Sequence, residues 1–545
     1  MLSTLLLLLP QTILASLACL FILGGTFRVS ARSWGPLALV ALALSAGALV
    51  YTSRIDIASE SPSTLAVSRT ALSVGFQWSS LVIGALLVLM SMQAQSESKT
   101  AGEFYGMLLL VLAGLLLVSA ANDLVLIFLA LELISVPTYV LLYLGGRDYA
   151  NQEAAAKYFM LSVLSAAVLL YGFALLYGLT GTTHLTGIFE VLSATYRDSS
   201  VPSGMPSMGG SVLGIMALVL IAAGLGFKMA AVPFHFYAPD VYEGTSAFNA
   251  GLLAIVPKAA GLFALIRIVS ESMVGFETTG QQLMLILAGI TMTGGNCLAL
   301  LQTNVRRMLA YSSVAHAGYM LIGIAVGFWD AWNPDLRLDG TASNVPAFDL
   351  TGSGFTGIGM LGGSQASLFY LLAYSLANVG LFAVLVYLGR PGKQIDYVDD
   401  LTGLAKSQPL VATIAALCLF SLAGIPPLPG FWAKLSVFSS AISVRQEVAD
   451  SLFAVHPAFA ILAVVGVINA AIGAVYYLRL VSAMFLNDPL STPRPGGGRS
   501  ALMAICCSAV LLVAFGILPG PVFRFLQQHP DQPAATAVSV TARTR

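Results

Sequence analysis

Four lysines and one glutamate lie inside apolar stretches of the sequence, where a charged side chain requires an explanation. They are Lys157, Lys228, Lys258, Lys434 and Glu132, the last in Leu-Ala-Leu-Glu-Leu-Ile-Ser. A charge at the centre of a bilayer costs roughly 3 kcal/mol, so such residues persist when they are paired, hydrated or functional. A buried lysine binds its proton less tightly than one in water, and a nearby carboxylate restores the affinity. Moving Glu132 towards or away from a lysine would therefore load or unload that lysine with a proton.

Two histidines occupy positions from which they could pass protons between such groups. His316 lies in Ala-Tyr-Ser-Ser-Val-Ala-His-Ala-Gly-Tyr, and His235 follows Pro233 by two residues. The unperturbed pKa of a histidine side chain is near 6.5, which suits an intermediate proton carrier. Purely structural interpretations stay open. His316 could be a hydrogen-bonded core histidine, His235 could face water, and the charged residues could form static ion pairs. Lys157 could also reach the end of its helix with its ammonium in water.

Two of the lysines lie next to residues that interrupt helices. Pro233 follows Lys228 by five positions, and Gly424-Ile-Pro-Pro-Leu-Pro-Gly precedes Lys434. Proline removes a backbone donor and clashes with the preceding turn, so both helices are predicted to be discontinuous. Irregular backbone at membrane depth is tolerated only inside protein or beside a wet cavity. Broken helices at corresponding places in two halves of a chain are typical of transport sites built from inverted repeats.

The elements that position these residues are membrane-spanning helices. Of the 545 residues, 57% are hydrophobic and 9% are charged, and the mean hydropathy is +0.87, whereas a soluble domain is about one-quarter charged. Apolar runs of about 20 residues, long enough to cross a bilayer, recur throughout the chain. We predict an all-α polytopic bundle of about 14 helices, centred near residues 14, 43, 84, 112, 133, 166, 222, 260, 290, 315, 377, 422, 470 and 512. The breaks fall in helices 7 and 12, five apart, which predicts two inverted five-helix repeats.

The distribution of basic residues predicts the orientation of the bundle. Odd-numbered loops contain Arg28, Arg32, Lys99, Arg147, Arg306, Arg307, Arg390, Lys393, Lys406, Arg479, Arg494 and Arg499. Even-numbered loops contain half as many: Arg54, Arg69, Arg197, Arg267, Arg337 and Arg445. We therefore expect odd-numbered loops in the cytoplasm, and both termini on the outer, periplasmic side of a bacterial inner membrane. The first apolar run has no basic residue before Arg28, which favours a retained helix over a cleaved signal.

Other kinds of site find little support in the sequence. The five cysteines lie in apolar segments without the spacing of zinc or iron–sulfur ligands, so no metal site is expected. The formal net charge is zero, which argues against a nucleic-acid partner. Gly352-x-Gly354-x-x-Gly357 and the overlapping Gly357-x-Gly359-x-x-Gly362 match a dinucleotide-binding motif in spacing alone, because no strand precedes them. Their loop, 330–364, and the Pro- and Gly-rich insert 487–499 are expected to be flexible surface segments.

The chain resembles the antiporter-like subunits of the proton-pumping NADH–quinone oxidoreductase, respiratory complex I. The longest match is Phe-Lys228-Met-Ala-Ala-Val-Pro-Phe-His-Phe-Tyr-Ala-Pro-Asp-Val-Tyr-Glu-Gly. Further matches are Asn122-Asp-Leu, Glu132-Leu-Ile-Ser-Val-Pro-Thr-Tyr, Glu153-Ala-Ala-Ala-Lys-Tyr-Phe, Arg307-Met-Leu-Ala-Tyr-Ser-Ser-Val-Ala-His-Ala-Gly-Tyr, and Gly-Ile-Pro-Pro with Gly-Phe-Trp-Ala-Lys434. The resemblance extends from about residue 5 to 525. Pro-Asp-Val-Tyr-Glu-Gly and Glu-Ala-Ala-Ala-Lys-Tyr-Phe are similar to the subunit N type.

This resemblance implies a role for each buried charge. Glu132 would be the carboxylate of the fifth helix, and Lys228 would be its partner on the seventh. Lys258 would connect the two halves from the eighth helix, and Lys434 on the twelfth would exchange protons with the outside. Lys157 would correspond to the family's lysine on the sixth helix, which favours participation over a surface position.

The resemblance also implies a membrane-arm subunit that couples electron transfer from NADH to quinone, carried out in other subunits, to proton translocation. No cofactor would bind this chain, since NADH, FMN, the iron–sulfur clusters and quinone would be bound by other subunits. Its partners would be the other membrane-arm subunits of complex I and the lipid bilayer. The expected division is 1–121 for helices 1–4, 122–273 and 274–485 for the two proton-channel halves, and 486–545 for helix 14 and an exposed tail.

Two further hypotheses use the same residues differently. A subunit of a cation/proton antiporter would share the fold and nearly all the lysines, and the subunit N motifs favour the oxidoreductase over it. A structural scaffold would keep the charges as static ion pairs. The scaffold hypothesis predicts that Lys228→Ala prevents assembly, whereas a proton-translocating subunit would assemble and pump poorly.

Overall fold

The fold is known from a computed structural model of the chain. It describes residues 6–27, 30–54, 66–146, 148–197, 211–273, 275–330, 361–390, 394–449, 452–489 and 496–527. The Gly352 and Gly357 motifs, most of the 330–364 loop, the centre of the 487–499 insert and the tail beyond 527 lie outside these ranges. The predictions for those segments therefore stay predictions.

The described residues form fourteen spans, one at each predicted centre. The first seven are α1 (Leu9–Gly25), α2 (Ala31–Ser53), α3 (Ala71–Ser91), α4 (Ala101–Ala120), α5 (Leu124–Leu144), α6 (Tyr149–Thr180), and the two halves α7a (Val212–Met229) and α7b (Tyr237–Gly244). The others are α8 (Ala247–Ser272), α9 (Glu277–Leu300), α10 (Val305–Asp330), α11 (Gly363–Leu388), α12a (Pro409–Ala423) with α12b (Pro429–Ser443), α13 (Pro457–Leu486) and α14 (Gly498–Ile517).

Their length and apolar composition make the chain a multi-pass membrane protein. Twelve of these helices are long and apolar enough to span a membrane; α1 has 17 residues, and each half of α12 has 15. The predicted all-α membrane bundle with discontinuous helices 7 and 12 is confirmed. Helices α8, α10 and α11 are almost wholly buried and form the inner layer of the bundle, whereas α6, α9, α13 and α14 have extensive outward faces.

Shorter elements lie between the spans or after the last one. A helix over Leu185–Arg197 follows α6, a 3₁₀ turn over Val398–Leu401 and one helical turn over Leu404–Ser407 precede α12a, and Gly520–Gln527 follows α14. The 443–455 break contains two antiparallel strands, β1 (Arg445–Ala449) and β2 (Leu452–Val455), with Arg445 opposite Val455. This hairpin is the one β element of strand length in the described ranges, and its nine residues leave the all-α class unchanged.

Matched backbone hydrogen bonds relate the two inverted repeats. The first residue of α5 and the residue two positions before it pair with the segment after α6, and the first residue of α10 and the residue two positions before it pair with the segment after α11. The bonds are Leu124 N to Thr183 O at 2.9 Å, Leu185 N to Asn122 O at 3.1 Å, Val305 N to Asp396 O at 2.7 Å and Val398 N to Thr303 O at 3.2 Å. Five spans separate the two sites, so they lie on opposite faces of the bundle. The match makes Ser135 equivalent to His316, since each follows the start of its helix by eleven residues.

Both helix breaks are made by a residue in the left-handed backbone region. Ala230 directly follows α7a with φ +57°, and Gly424 directly follows α12a with φ +89°. The prolines that follow cannot donate the backbone bonds that would continue either helix. Each break therefore exposes backbone carbonyls at the end of the first half-helix, deep within the chain.

Candidate functional site

Lys228 and Glu132 meet between α7a and α5. The ammonium Nζ of Lys228 lies 3.9 Å from Oε1 of Glu132 and donates shorter hydrogen bonds to Ser135 Oγ (2.6 Å) and Ser162 Oγ (3.2 Å). Glu132 and Ser135 are three residues apart on α5, so they share one face. The Lys228 side chain is 3% exposed and that of Glu132 is 25% exposed. The hydroxyls hold the ammonium in place, and the carboxylate lies beyond hydrogen-bond distance of it.

Lys258 on α8 uses the break in helix 7. Its ammonium donates to the carbonyl of Met229 (2.6 Å) and to that of Ser313 on α10 (2.9 Å). Met229 ends α7a, so its carbonyl is one that the break leaves without a helical partner. Met229 directly follows Lys228 in the chain. A shift at the end of α7a would therefore change the contacts of Lys228 and the bond from Lys258 to Met229 at the same time.

Lys434 repeats this arrangement at the break in helix 12. Its ammonium donates to the carbonyls of Leu422 (3.0 Å) and Ala423 (2.8 Å), the last residues of α12a. The same group lies 5.3 Å from the ring centroid of Tyr319, a distance suited to a cation–π contact. In both halves, then, a discontinuous helix provides carbonyl ligands for a buried lysine.

His316 lies between these two lysine sites, on the buried helix α10. Tyr370 Oη on α11 is 2.7 Å from its Nδ1, and Tyr477 Oη on α13 is 2.9 Å from its Nε2. His316 and Lys434 line one small cavity, together with Tyr370, Tyr374 and Ser421. The arrangement provides both a proton acceptor and hydroxyl carriers along the line from Lys258 to Lys434.

The other two predicted residues lie at the edge of this line. Lys157 has a 42% exposed side chain, and its ammonium contacts Glu153 at 2.7 Å and Asp240 at 3.3 Å, not Glu132. His235 lies in the segment between α7a and α7b and is partly buried. Its ring is tilted by 55° against that of Tyr311, with 6.4 Å between the ring centroids. Five of the seven predicted residues, Glu132, Lys228, Lys258, His316 and Lys434, are thus connected through these contacts, and the other two lie beside them.

The sequence analysis missed the polar partners that complete the site. These are Ser135, Ser162, Tyr370, Tyr374 and Tyr477. Ser135 carried a usable signal, because it follows Glu132 by three residues on the same helix. The tyrosines carried no such signal, because they reach His316 only through the packing of α11 and α13 against α10, which the sequence does not specify.

Asp240 on α7b joins two cations at the surface end of the site. Its carboxylate contacts Lys157 of α6 at 3.3 Å and Arg307 of α10 at 2.8 Å, and Arg307 also contacts Glu243 at 2.8 Å. These side chains are between 31% and 42% exposed, so each pair is worth less than a buried one. Together they fasten the short helix α7b to the two long helices beside it.

Asp240→Asn is expected to loosen α7b, because it removes the charge that contacts both cations. The four-group network should lose about 1 kcal/mol, the upper end for exposed pairs. Amide hydrogen exchange across 237–244 is then expected to quicken several-fold, as measured by mass spectrometry. Lys157→Gln should have a smaller effect, because Arg307 remains in place. Asp488→Asn is the matched control, since Asp488 contacts Lys406 at an exposed site, where the Lys406 ammonium lowers the pKa of the carboxyl. Unchanged exchange in Asp240→Asn would contradict the fastening role.

Among the described residues, no three His, Cys, Asp or Glu side chains are grouped closely enough to hold a metal ion. The cysteines Cys19, Cys297, Cys418, Cys506 and Cys507 are all free thiols. The chemistry that this geometry supports with its own residues is proton transfer among lysine, glutamate, histidine and hydroxyl groups.

Comparison with known proteins assigns the family. Residues 121–334 and 351–474 match the transmembrane domain family described as NADH:quinone oxidoreductase/Mrp antiporter, and these ranges cover both helix breaks. The chain belongs to this family. Its lysines at the two breaks are thus part of the segment by which the NADH:quinone oxidoreductase/Mrp antiporter family is defined.

Whole-chain relatives place it within the family. It is 35% identical over 541 residues to the NADH-quinone oxidoreductase subunit N of Myxococcus xanthus, covering 96% of each chain. It is 36% identical over 456 residues to subunit N 1 of Chloroherpeton thalassium, covering 82% of each. The match therefore includes the helices outside the family segment.

Solved structures share the fold. A chain of respiratory complex I from Thermus thermophilus has a TM-score of 0.71 and 30% identity, covering 94% of this chain and 98% of that one. A chain of the Mrp complex from Dietzia sp. DQ12-45-1b has a TM-score of 0.73 at 20% identity, covering 96% of each chain. At that lower identity the second match indicates the fold alone.

Proposed function

We propose that this chain is the N-type membrane-arm subunit of an NADH–quinone oxidoreductase and translocates protons across a bacterial inner membrane. The observation that carries the proposal is the set of connected charged and polar groups from Glu132 to Lys434, in which both helix breaks supply carbonyls to a buried lysine. The names of its whole-chain relatives support the same assignment. Its partners are the other membrane-arm subunits and the surrounding lipid.

Protons pass along this line by changes in ion pairing. Glu132 and Lys228 form the switch, because a carboxylate near an ammonium stabilises its charge and withdrawal of the carboxylate favours proton release. Lys258 links the halves through its bonds to Met229 and Ser313. His316 receives the proton next, and Lys434 delivers it to the outside.

Two residues act at the margin of the route. Lys157, held by Asp240 beside α7b, sets the position of that half-helix, and its own part in proton transfer is the weakest of the lysines. His235 faces the break in helix 7 and serves as a side carrier. Electron transfer takes place in other subunits, and its effect reaches this chain laterally through the ion pairs.

The proposed arrangement in the membrane follows from the loops. Odd-numbered loops lie in the cytoplasm, and both termini lie on the outer side. The channel halves correspond to 122–273 and 274–485, preceded by helices 1–4 in 1–121 and followed by 486–545. The Asp240 network then lies at the cytoplasmic end of the first half.

A cation/proton antiporter subunit is the second candidate. The fold does not separate the two, since the Mrp chain matches as well as the complex I chain. Sequence favours the oxidoreductase, because its relatives at 35% and 36% identity are subunit N proteins.

An experiment in inverted membrane vesicles distinguishes these candidates. Vesicles from a strain that lacks the chain should neither acidify on addition of NADH nor retain full NADH–quinone activity, and the restored chain should return both. Sodium- or potassium-driven proton exchange without NADH is the control reaction. Loss of that exchange, with NADH-driven acidification intact, would favour the antiporter instead.

A further inference from the structure

Each ring nitrogen of His316 faces a tyrosine hydroxyl from a different helix. Tyr370 Oη lies 2.7 Å from Nδ1, and Tyr477 Oη lies 2.9 Å from Nε2. All three side chains are at most 4% exposed. Tyr477 Oη also bonds to Ser312 Oγ, which lies one turn before His316 on α10. The four groups form a chain of short hydrogen bonds that joins three helices.

Two proton arrangements satisfy this chain equally well. A neutral imidazole carries one N–H donor and one acceptor nitrogen. In the first arrangement Ser312 donates to Tyr477, Tyr477 donates to Nε2, and Nδ1 donates to Tyr370. In the second, Tyr370 donates to Nδ1, Nε2 donates to Tyr477, and Tyr477 donates to Ser312. Passing from one to the other moves protons along the chain without moving a heavy atom.

The two ends of the chain lie near different lysines. Ser312 precedes Ser313, whose carbonyl accepts the bond from Lys258. Tyr370 lines the cavity that also contains Lys434. In the first repeat the equivalent of His316 is Ser135, which contacts Lys228 directly at 2.6 Å. In the second repeat His316, Tyr370 and Lys434 line one small cavity, so a proton that leaves His316 through Tyr370 reaches the space beside the lysine.

The geometry points to Tyr477 and Tyr370 as the proton-relay residues of the second half, on either side of His316. This role rests on the proposed function and names the groups through which His316 exchanges protons. Tyr477 delivers a proton from the Ser312 side to Nε2, and Tyr370 accepts one from Nδ1 and passes its own towards Lys434.

The transfer balances without any other reactant. The Tyr477 O–H bond breaks as the Nε2–H bond forms, and a proton from Ser312 restores the Tyr477 hydroxyl. The proton that enters from the Lys258 side re-forms the Ser312 O–H bond. The Nδ1–H bond breaks as a new Tyr370 O–H bond forms, and the former hydroxyl proton of Tyr370 leaves into the cavity. One proton enters, one leaves, and no group changes its oxidation state.

Tyr477→Phe and Tyr370→Phe in the intact complex test the relay. Each removes one hydroxyl and keeps the ring, so assembly should be retained. Proton uptake per assembled complex is expected to fall at least about tenfold. This minimum is smaller than the roughly 10²-fold or greater contribution that a positioned proton-transfer group usually makes. Tyr105→Phe is the matched control, because Tyr105 on α4 is equally buried and its hydroxyl accepts a hydrogen bond from Ser91, outside the His316 chain. It should pump normally.

A second readout separates a relay from a structural hydroxyl. Residual proton uptake in Tyr477→Phe should show a larger solvent deuterium isotope effect than the normal complex, because proton transfer has become limiting. A variant that only misplaces His316 would lower the number of active complexes and leave the solvent deuterium isotope effect unchanged. Proton uptake within twofold of normal in Tyr477→Phe, or an unchanged isotope effect, would overturn the relay. Lys434→Met, measured in parallel, tests the proposed function: if it fails to pump while Tyr477→Phe pumps normally, only the relay is wrong.

Discussion

Lys228→Met is expected to leave an assembled complex that translocates protons at about one-tenth of the normal rate or less, since positioned acid–base groups contribute about 10² to 10⁴ in rate. Methionine fills nearly the same volume as lysine, so packing against α5 and α6 should survive. It cannot carry a proton or bond to Ser135 and Ser162. The measurement is NADH-driven proton uptake in vesicles, normalised to assembled complex on a native gel.

The energetics explain why assembly should survive this change. Breaking a fully buried ion pair commonly costs about 3 to 5 kcal/mol, because the remaining charge loses its partner. Here the remaining charge is Glu132, which keeps a quarter of its side chain exposed and lies 3.9 Å from Lys228 to begin with. The penalty should therefore be well below that range.

Two controls define what the Lys228→Met result means. Lys406→Met removes a lysine whose bond is to Asp488 at an exposed site, and it should pump normally. Glu132→Gln removes the other partner of the pair and should resemble Lys228→Met. Normal pumping in Lys228→Met would contradict the proton route, and complete loss of the complex would instead favour a structural scaffold.

The span pattern was predictable because membrane insertion depends on local properties. Twenty apolar residues must cross as a helix, and proline must interrupt one, whatever the neighbouring helices do. The fourteen centres and both breaks follow from these two rules. Whether Lys258 would bind the end of α7a or that of α12a depends on how α8 packs, which no local rule specifies.

The position of Lys157 shows the limit of counting along the chain. The sequence places Lys157 among the lysines within apolar stretches, with the water-exposed end of its helix as the alternative position. The helix α6 has 32 residues, however, and would extend about 48 Å at 1.5 Å per residue, beyond a hydrocarbon core of about 30 Å. Its first turns therefore project beyond the core, and Lys157 is the ninth residue. Its role in proton transfer stays a prediction.

The two repeats share a scaffold but differ in their acid. Counting from the matched starts of α5 and α10 places Ser313 at the position of Glu132. The first half therefore has a carboxylate beside its lysine, whereas the second has a serine whose carbonyl binds Lys258. This asymmetry suits a route with its ion-pair switch at one end and neutral carriers, His316 with its tyrosines, at the other.

Gly430→Ala is expected to lower proton translocation about 100-fold by displacing α12b. A Cβ on Gly430 would lie 1.8 Å from the carbonyl oxygen of Ser421 and 2.7 Å from its carbonyl carbon, so the two half-helices must separate. Lys434 is one turn further along α12b and bonds to Leu422 and Ala423 at 3.0 and 2.8 Å. A displacement of about 1 Å can lower a rate about 100-fold. Proton uptake per complex measures the effect.

Gly178→Ala provides the comparison that isolates this cause. Gly178 lies within α6, and a Cβ there meets no heavy atom within 4 Å. Alanine is favoured over glycine in a helix by about 0.5–1 kcal/mol, so this variant should be at least as stable and pump normally. Gly430→Ala should instead lose about 1–3 kcal/mol through overpacking, measured as an earlier midpoint in detergent-solubilised thermal unfolding. Lys434 is bound by carbonyls of α12a, and α12b can pack this close to α12a only because residue 430 is a glycine. Normal pumping in Gly430→Ala would therefore show that the lysine does not need those carbonyls.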